Sequence, residues 1–324
     1  MNILITSAGR RVSLVNYFKK ELKLIFPTGQ CFASDANPRY SAACQVGDQY
    51  FEVPYLNHPD YIKVLLEICT QHGVKLIVPT IDTELLLLAT HKAQFEAQGI
   101  TVLVSDLNRI QSFRDKRATH IFFESIDVQI AKEYTKENYQ LPIYIKPYDG
   151  SRSVDNYLIT EESQLTDYHL TNDKLMFLEY LDHSLYTEYT LDLYYDRQSE
   201  LKAVVPRKRI EVREGEVNKA ITKKELFLKD IWTKFNKIEG LFGCITLQIF
   251  VHNTQPENYY GIEINPRFGG GYPLSYLAGA NFPKWILEEY FLNNKIQKFE
   301  DWEDNLMMLR YDHEVLIHDF KENA

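Results

Sequence analysis

The sequence predicts an α/β protein that begins with a doubly wound parallel sheet and continues into an α+β region. Strand-like and helix-like apolar patterns alternate over about the first hundred residues. Later segments show strict two-residue alternation, which is typical of half-buried strands. A length of 324 residues suits two or three packed lobes, and we expect these at residues 1–108, 109–182 and 183–324.

The first lobe is predicted from apolar periodicity. Leu14, Phe18, Leu22 and Ile25 recur on one face of a helix that follows an apolar strand. The expected strands cover residues 2–6, 31–34, 74–78 and 100–104, and the expected helices cover 12–25, 61–72 and 82–97. Because strands and helices alternate, we expect the strands to be parallel.

Polar residues follow several of these strands. Gly9 lies in the first strand-to-helix turn, which lacks a complete glycine-rich dinucleotide pattern, and we interpret it as a structural turn residue. The segments 35–38 and 79–84 also follow strand ends, where ligands of open α/β sheets collect. Turn and helix-cap roles are equally compatible with these Asp and Asn residues.

Composition and charge argue against several classes of partner. The net charge is −9 and the pI is about 5.6, which disfavours nucleic acid and anionic membranes. The four cysteines have no paired spacing, so we interpret them as reduced core residues of a cytoplasmic protein. We find neither a leader pattern nor a run of about 18 to 20 apolar residues, and we expect no signal peptide and no membrane span.

Two lysines of the second lobe are candidates for phosphate binding. Lys116 opens a helical segment, although an ordinary charged helix N-terminus has the same pattern. Lys146 ends an alternating apolar strand, and a small-residue loop follows at Gly150. Backbone amides of such a loop can bind phosphates while the lysine lies against the nucleotide.

The following segments predict further strands. A buried strand ends near Glu179, and a strictly alternating strand at 186–195 carries Glu188. A strand at 201–206 precedes a basic group, from which we select Arg209 as a substrate contact, with a solvated loop as the alternative. We expect residues 221–240 to form a helix.

Polar side chains interrupt two apolar strands near the C-terminal end. Glu263 and Asn265 share one face of a strand, and Gln248 can join them from its neighbour. Three converging oxygen-bearing side chains suit Mg²⁺, with nucleotide phosphates completing its shell. Arg267 has the same sidedness and would lie against those phosphates. The alternative is a polar strand end in which Glu263 and Arg267 merely pair with each other.

Taken in order, these residues resemble the ATP-grasp superfamily. The segment Glu263-Ile-Asn265-Pro-Arg267 with the upstream Gln248 is most similar to the large-subunit branch of carbamoyl-phosphate synthetase. The resemblance implies a Rossmann-like pre-ATP-grasp lobe followed by a two-lobed ATP-grasp domain, with ATP and Mg²⁺ (or Mn²⁺) as cofactors. A loop with one glycine and a glycine triplet at 269–271 both depart from the usual pattern.

The resemblance also implies a role for each matching residue. Lys116 and Lys146 contact ATP, and Lys146 and Arg267 also act on the transferring group. Arg209 is not part of the resemblance; we select it from the basic group for a contact with the acyl phosphate or the substrate carboxylate. The remaining assignments are a loop closing over the triphosphate (Gly150, Ser151, Arg152, Ser153), the adenine hinge (Glu179, Tyr180, Leu181), the ribose contact (Glu188) and the metal ligands (Gln248, Glu263, Asn265).

The implied function is an ATP-dependent carboxylate-amine ligase that acts through an acyl phosphate and releases ADP and phosphate. Its partners are a small carboxylate and a small amine, and a homodimer is kept open. A phosphotransferase on the same fold and a non-catalytic nucleotide-binding protein are the alternatives. A single ATP-grasp unit argues against a complete carbamoyl-phosphate synthetase, and a fold alone does not identify the substrates.

Overall fold

A computed structural model describes residues 1–150, 154–213 and 215–321. The elements of the N-terminal region are β1 (Asn2–Thr6), α1 (Val12–Ile25), β2 (Gln30–Asp35), α2 (Ala42–Val46), β3 (Gln49–Glu52), α3 (Tyr61–Gln71), β4 (Val74–Pro79), α4 (Asp82–Glu96) and β5 (Thr101–Val102). The five strands form one parallel sheet in the order β3-β2-β1-β4-β5. The predicted doubly wound parallel lobe is therefore confirmed.

Helices cover both faces of this sheet, which explains the continuous apolar run of β1. Ile3 and Ile5 pack in one core cluster, whereas Leu4 packs in another, and all three are fully buried. The strand order reverses between β1 and β4. The carboxyl ends of these two strands therefore meet at a switch point, where open α/β sheets bind ligands.

A small antiparallel sheet follows. The elements of this region are α5 (Leu107–Arg114), α6 (Lys116–Ser125), β6 (Gln129–Ile130), β7 (Glu133–Tyr134), β8 (Ile143–Pro147), β9 (Tyr157–Ile159), α7 (Asp167–Thr171) and β10 (Leu175–Glu179). Four of the strands pair in the order β7-β10-β8-β9. Ile143 and Ile145 are buried in the core of this sheet, so the alternating residues Tyr144 and Lys146 point to its other side.

The C-terminal region contributes the largest sheet. Its elements are β11 (Tyr186–Tyr195), β12 (Leu201–Arg213), β13 (Glu216–Thr222), α8 (Leu228–Lys234), β14 (Gly243–His252), β15 (Gln255–Asn265), α9 (Tyr272–Leu277), α10 (Phe282–Phe291) and β16 (Met307–Leu309). The strand order is β16-β13-β12-β11-β14-β15-β6. All pairs are antiparallel except β15 with β6. None of the helices in the described ranges is both long and apolar enough to cross a bilayer.

Two expectations for this region are wrong. The strand predicted to end at residue 206 continues to Arg213, because β13 pairs with its second half. The predicted helix at 221–240 is only the seven-residue α8, and residues 221 and 222 belong to β13. Phe227, Ile231 and Phe235 have helical spacing and pack on the large sheet, which explains the misleading pattern.

Candidate active site

Gln248, Glu263 and Asn265 form one cluster on the large sheet, which we call the carboxylate-amide cluster. Gln248 on β14 lies opposite Glu263 on β15, and Asn265 follows on the same face. Glu263 Oε1 accepts hydrogen bonds from Gln248 Nε2 at 2.6 Å and from Asn265 Nδ2 at 2.8 Å. In the described part of the chain, Glu263 Oε2 and Asn265 Oδ1 accept no hydrogen bond. The structure thus brings the three predicted side chains together with two oxygens left available.

These oxygens fit a hard cation. Carboxylate and amide oxygens are the donors that Mg²⁺ prefers, and Mg²⁺ is usually held by one or two carboxylates together with substrate phosphates. No group of three or more His, Cys, Asp or Glu side chains that could hold a metal occurs in residues 1–150, 154–213 and 215–321. A cation in this cluster would therefore depend on Glu263, on the amides and on the phosphates of a ligand.

Two lysines face the carboxylate-amide cluster. Lys146 on β8 is buried, and burial lowers its pKa to about 8 although the charge of Glu263 acts in the opposite direction. Lys116, the first residue of α6, donates from Nζ to the carbonyl oxygen of Gly150 at 2.6 Å, and burial lowers its pKa as well. Glu263 is the strongest charge acting on each lysine. Both lysines therefore lie within electrostatic range of Glu263, although the three residues belong to different elements.

The loop after β8 is described only at its beginning. The Gly150 N–H donates to the carbonyl oxygen of Pro147 at 3.3 Å. A methyl group on Gly150 would lie 2.9 Å from Pro147 Cγ, so the turn is too tight for a larger residue without a shift. Ser151, Arg152 and Ser153 lie outside the described residues. Their phosphate contacts stay a prediction.

Arg209 connects the carboxylate-amide cluster with Glu188. Its Nη1 donates to Glu188 Oε1 and, at 3.3 Å, to Gln248 Oε1. The Nε of Arg209 is buried and has no acceptor among the described residues. Burial raises the pKa of Glu188, and the charge of Arg209 opposes this shift. Arg209 therefore lies at the site, but as the partner of a residue expected to bind the ribose.

The segment predicted as an adenine hinge links β10 to β11. Glu179 Oε2 accepts a hydrogen bond of 3.3 Å from the backbone N–H of Lys132. Tyr180 is half-buried and packs edge-on against His183, with ring centroids 6.2 Å apart, and Leu181 is buried. Glu179 and Tyr180 of this link therefore both contact neighbouring residues, Lys132 and His183. The expected contacts with adenine remain predictions.

Asp82 is a site residue that sequence reasoning did not select. Arg267 Nη2 donates to Asp82 Oδ2 at 2.6 Å, so Arg267 pairs with the N-terminal lobe and not with Glu263. Asp82 opens α4, immediately after the carboxyl end of β4. Its position after a strand end was the only signal in the sequence, and that signal did not distinguish a ligand-facing residue from a helix cap.

Arg207 explains why the last residue of the glycine triplet, Gly271, is a glycine. Its guanidinium is buried and forms a two-point ion pair with Asp192, at 2.7 Å and 3.0 Å. A methyl group on Gly271 would lie 2.0 Å from Arg207 Nη1, which is impossible without rearrangement. Gly271 therefore allows the close approach of this arginine to the backbone.

Gly9 is held by neighbouring polar groups. Its N–H donates to Asp35 Oδ2 at 3.0 Å, and its φ of +50° lies in the left-handed region that favours glycine. A backbone N–H that is already bonded to a carboxylate is not available to a phosphate. This contact agrees with the interpretation of Gly9 as a turn residue.

The chain matches two family models, in separate parts. Residues 3–103 match the PylC-like N-terminal domain, and residues 171–313 match the model described as ATP-grasp in the biosynthetic pathway with Ter operon. No curated protein matches the chain significantly in sequence.

Solved structures with a similar fold cover almost the whole chain. The biotin carboxylase domain of 2-oxoglutarate carboxylase from Hydrogenobacter thermophilus, in complex with MgADP, ADP and bicarbonate, is 13% identical with a TM-score of 0.73, covering 94% of this chain and 73% of that one. N5-carboxyaminoimidazole synthetase from Staphylococcus aureus, complexed with ADP, is 15% identical with a TM-score of 0.70, covering 93% and 78%. Biotin carboxylase from Campylobacter jejuni is 12% identical with a TM-score of 0.69, covering 89% and 70%.

Sequence identities this low show the fold alone. The two family models and the order of the sheets in this chain agree with that fold. The small antiparallel sheet, the large sheet and the preceding parallel sheet occur in one chain in the predicted sequence order. The chain therefore has the ATP-grasp fold, and its residues 171–313 match an ATP-grasp family model.

Proposed function

We propose that the chain is an ATP-dependent ligase that joins a carboxylic acid to an amine through an acyl phosphate. The observation that carries this proposal is the convergence of Glu263, Asn265 and Gln248 with Lys116 and Lys146. Such a site can hold the phosphates of a nucleoside triphosphate, because it combines two cations with oxygen ligands for a metal ion.

The reaction consists of two displacements. A carboxylate oxygen of the acid attacks the γ-phosphorus of ATP, the bond from that phosphorus to the β–γ bridging oxygen breaks, and ADP leaves. The amine nitrogen then attacks the carbonyl carbon of the acyl phosphate, phosphate departs with the electron pair of the C–O bond, and the nitrogen loses a proton to solvent. No protein nucleophile is needed, so the residues act by positioning and by neutralising charge.

The side chains divide this work. Glu263, Asn265 and Gln248 would hold Mg²⁺, which supplies positive charge to the phosphate oxygens. Lys146 and Lys116 lie against the phosphates, and burial increases the strength of their electrostatic interactions. Glu179 lies on β10, which pairs with the strand of Lys146, and Glu188 is among the charges that act on Lys146. Glu188 is assigned to the ribose and the link at Glu179 to the adenine. Arg209 and Arg267 are assigned to the reacting carboxylate and the transferring group.

The solved structures support nucleotide binding in this fold, because two of them hold ADP or MgADP. The first also holds bicarbonate, which is a small carboxylate-like anion. The similarity of the segment 263–267 to carbamoyl-phosphate synthetase remains part of the proposal, as do the identities of the acid and the amine.

The test is ADP release from Mg-ATP against pools of carboxylic acids, with and without hydroxylamine as a trapping amine. ADP together with a hydroxamate is the expected result, since hydroxylamine intercepts an acyl phosphate. ADP together with a stable phosphorylated acid would favour a phosphotransferase instead. If the protein binds Mg-ATP tightly but no acid pool increases ADP release above the acid-free control, the ligase proposal loses to a nucleotide-binding protein.

A further inference from the structure

Arg11 reaches from the N-terminal lobe to the glycine triplet. It is the residue before α1, in the loop that follows β1, and its side chain is half-buried. A methyl group on Gly270 would lie 3.2 Å from Arg11 Nη1, so the guanidinium lies against the backbone that follows β15. Burial, followed by the charge of Arg267, lowers the pKa of Arg11 to about 10.

Two further arginines reach the same place, and each has a carboxylate partner. Arg310 donates from Nη1 to Glu216 Oε2 at 2.9 Å and from Nη2 to the carbonyl oxygen of Gly270. Arg267 is paired with Asp82. Within the ranges that the structure describes, the side chain of Arg11 has neither a hydrogen bond nor an ion pair. A guanidinium partly removed from water beside two other arginines lacks an acceptor for its five N–H groups.

The three arginines differ in their distance from the carboxylate-amide cluster. The charged groups that act most strongly on Arg11 are Arg267, Glu216, Arg310 and Asp82. Arg267 follows Asn265 by two residues, whereas Arg11 lies against Gly270, further along the same segment. Glu263 is also among the charges that act on Arg267. Arg267 is therefore nearer to the carboxylate-amide cluster than Arg11 is.

We propose that Arg11 binds an anionic group, a carboxylate or a phosphate, which the acid substrate carries in addition to the carboxylate that reacts. The inference rests on the proposed ligase function and names its substrate class as acids with a second anionic group. A guanidinium suits this role because its planar fork can donate two parallel hydrogen bonds to a carboxylate or a phosphate. The three arginines at this place outnumber the two carboxylates Asp82 and Glu216, so the net local charge favours an anion.

The test compares matched ligands that differ in the second anionic group. Binding of succinate against butyrate, and of phosphoglycolate against glycolate, is measured by titration calorimetry in the presence of Mg-ADP. The proteins are the natural chain, Arg11→Gln, Arg11→Lys and the control Arg197→Gln. Arg197 is an exposed arginine in the turn after β11, at the opposite end of that strand from Glu188.

In the natural chain and in Arg197→Gln, we expect the ligand with the second anionic group, succinate or phosphoglycolate, to bind at least tenfold more tightly than its partner in at least one of the two pairs. The preferred pair shows which anionic group the site accepts. The preference should disappear in Arg11→Gln and be partly retained in Arg11→Lys, which keeps the charge but not the fork. An equal preference in the natural chain and Arg11→Gln, or no preference in the natural chain, overturns the proposal.

Binding of Mg-ADP separates this inference from the proposed function. We expect Arg11→Gln to bind Mg-ADP as the natural chain does, within about twofold, because Arg11 lies beyond Arg267 from the nucleotide position. A natural chain that fails to bind Mg-ADP counts against the ligase, whereas normal nucleotide binding without a preference for dianions counts only against the role of Arg11.

Discussion

Arg267 Nη2 donates a 2.6 Å hydrogen bond to Asp82 Oδ2, and this contact joins residues that are 185 positions apart in the sequence. Asp82 follows the carboxyl end of β4, and Arg267 follows β15. The contact therefore joins the carboxyl edge of the parallel sheet to the segment that follows the carboxylate-amide cluster. Burial lowers the pKa of Arg267, but the charge of Asp82 and its hydrogen bond outweigh this effect and leave the pKa raised.

Asp82→Asn should weaken the contact between the lobes. The substitution keeps the size of the side chain but removes the carboxylate that is hydrogen-bonded to Arg267, so we expect the free energy of unfolding to fall by about 1 to 3 kcal/mol. Urea unfolding measures this change. The matched control is Asp312→Asn, which removes an ion pair with Arg213 in which both side chains are exposed, and which should leave the stability almost unchanged. Equal effects of the two substitutions would contradict the structural role of Asp82.

Glu263→Gln should separate metal-dependent turnover from folding. Glutamine retains one acceptor oxygen for Gln248 and Asn265 but removes the negative charge that would attract Mg²⁺. We expect Mg²⁺-dependent ADP release to fall by at least about 10- to 100-fold, with an unchanged thermal unfolding temperature.

The control for this prediction is Glu257→Gln, an exposed glutamate on the same strand. It removes the same charge away from Gln248 and Asn265 and should leave ADP release unchanged. Normal turnover of Glu263→Gln over a full Mg²⁺ titration would remove Glu263 from the metal assignment.

Nucleotide affinity should depend on pH through Lys146. Its pKa is lowered to about 8, so the free protein loses this positive charge as the pH rises through that value. A bound triphosphate stabilises the charged form and raises the pKa again. Binding should therefore take up a proton near pH 8, and affinity should fall as the pH rises above it.

Titration calorimetry in buffers of different ionisation enthalpy measures this proton uptake. Lys146→Met should bind Mg-ATP more weakly and without the uptake, since it has no proton to gain at that position. Identical proton uptake by Lys146→Met would assign the effect to another group.

Gly271→Ala should be more damaging than Gly270→Ala. The added methyl group at Gly271 would lie 2.0 Å from Arg207 Nη1, whereas at Gly270 the nearest atoms lie at 3.2 Å and include the mobile end of Arg11. Arg207 cannot withdraw without breaking its buried pair with Asp192. We expect Gly271→Ala to lose about 3 kcal/mol or more of unfolding free energy and Gly270→Ala clearly less, as measured by chemical denaturation.

Local patterns were sufficient for most elements of the fold. The helix α1 and the strand β11 begin and end at the predicted residues, because their apolar residues repeat with the period of the backbone. The alternation of β11 predicted a half-buried strand, but both of its sides are buried from Tyr189 to Tyr195. The prediction of a helix at 221–240 was wrong for a related reason. Its apolar residues have helical spacing, but residues 221 and 222 pair with the unpredicted second half of β12.

The candidate site was predictable where neighbouring strands carry it. Glu263 and Asn265 are two residues apart, and Gln248 lies on the adjacent strand of the same hairpin, so alternation alone places them together. The roles of Lys116, Glu179 and Glu188 in binding ATP were assigned from the resemblance to a family, and they remain predictions. No pattern in the sequence indicated that Arg209 would be paired with Glu188.

The sequence by itself determined which residues form strands and helices, which sides of them are buried, and which polar side chains interrupt a buried side. Those properties follow from periodicity over a few residues. Only the tertiary structure decided that Arg267 pairs with Asp82, that Arg207 lies against Gly271, and that Arg11 meets the loop after β15. Such contacts depend on how the lobes pack, because charged side chains far apart in the chain have many possible partners and no periodic signal distinguishes among them.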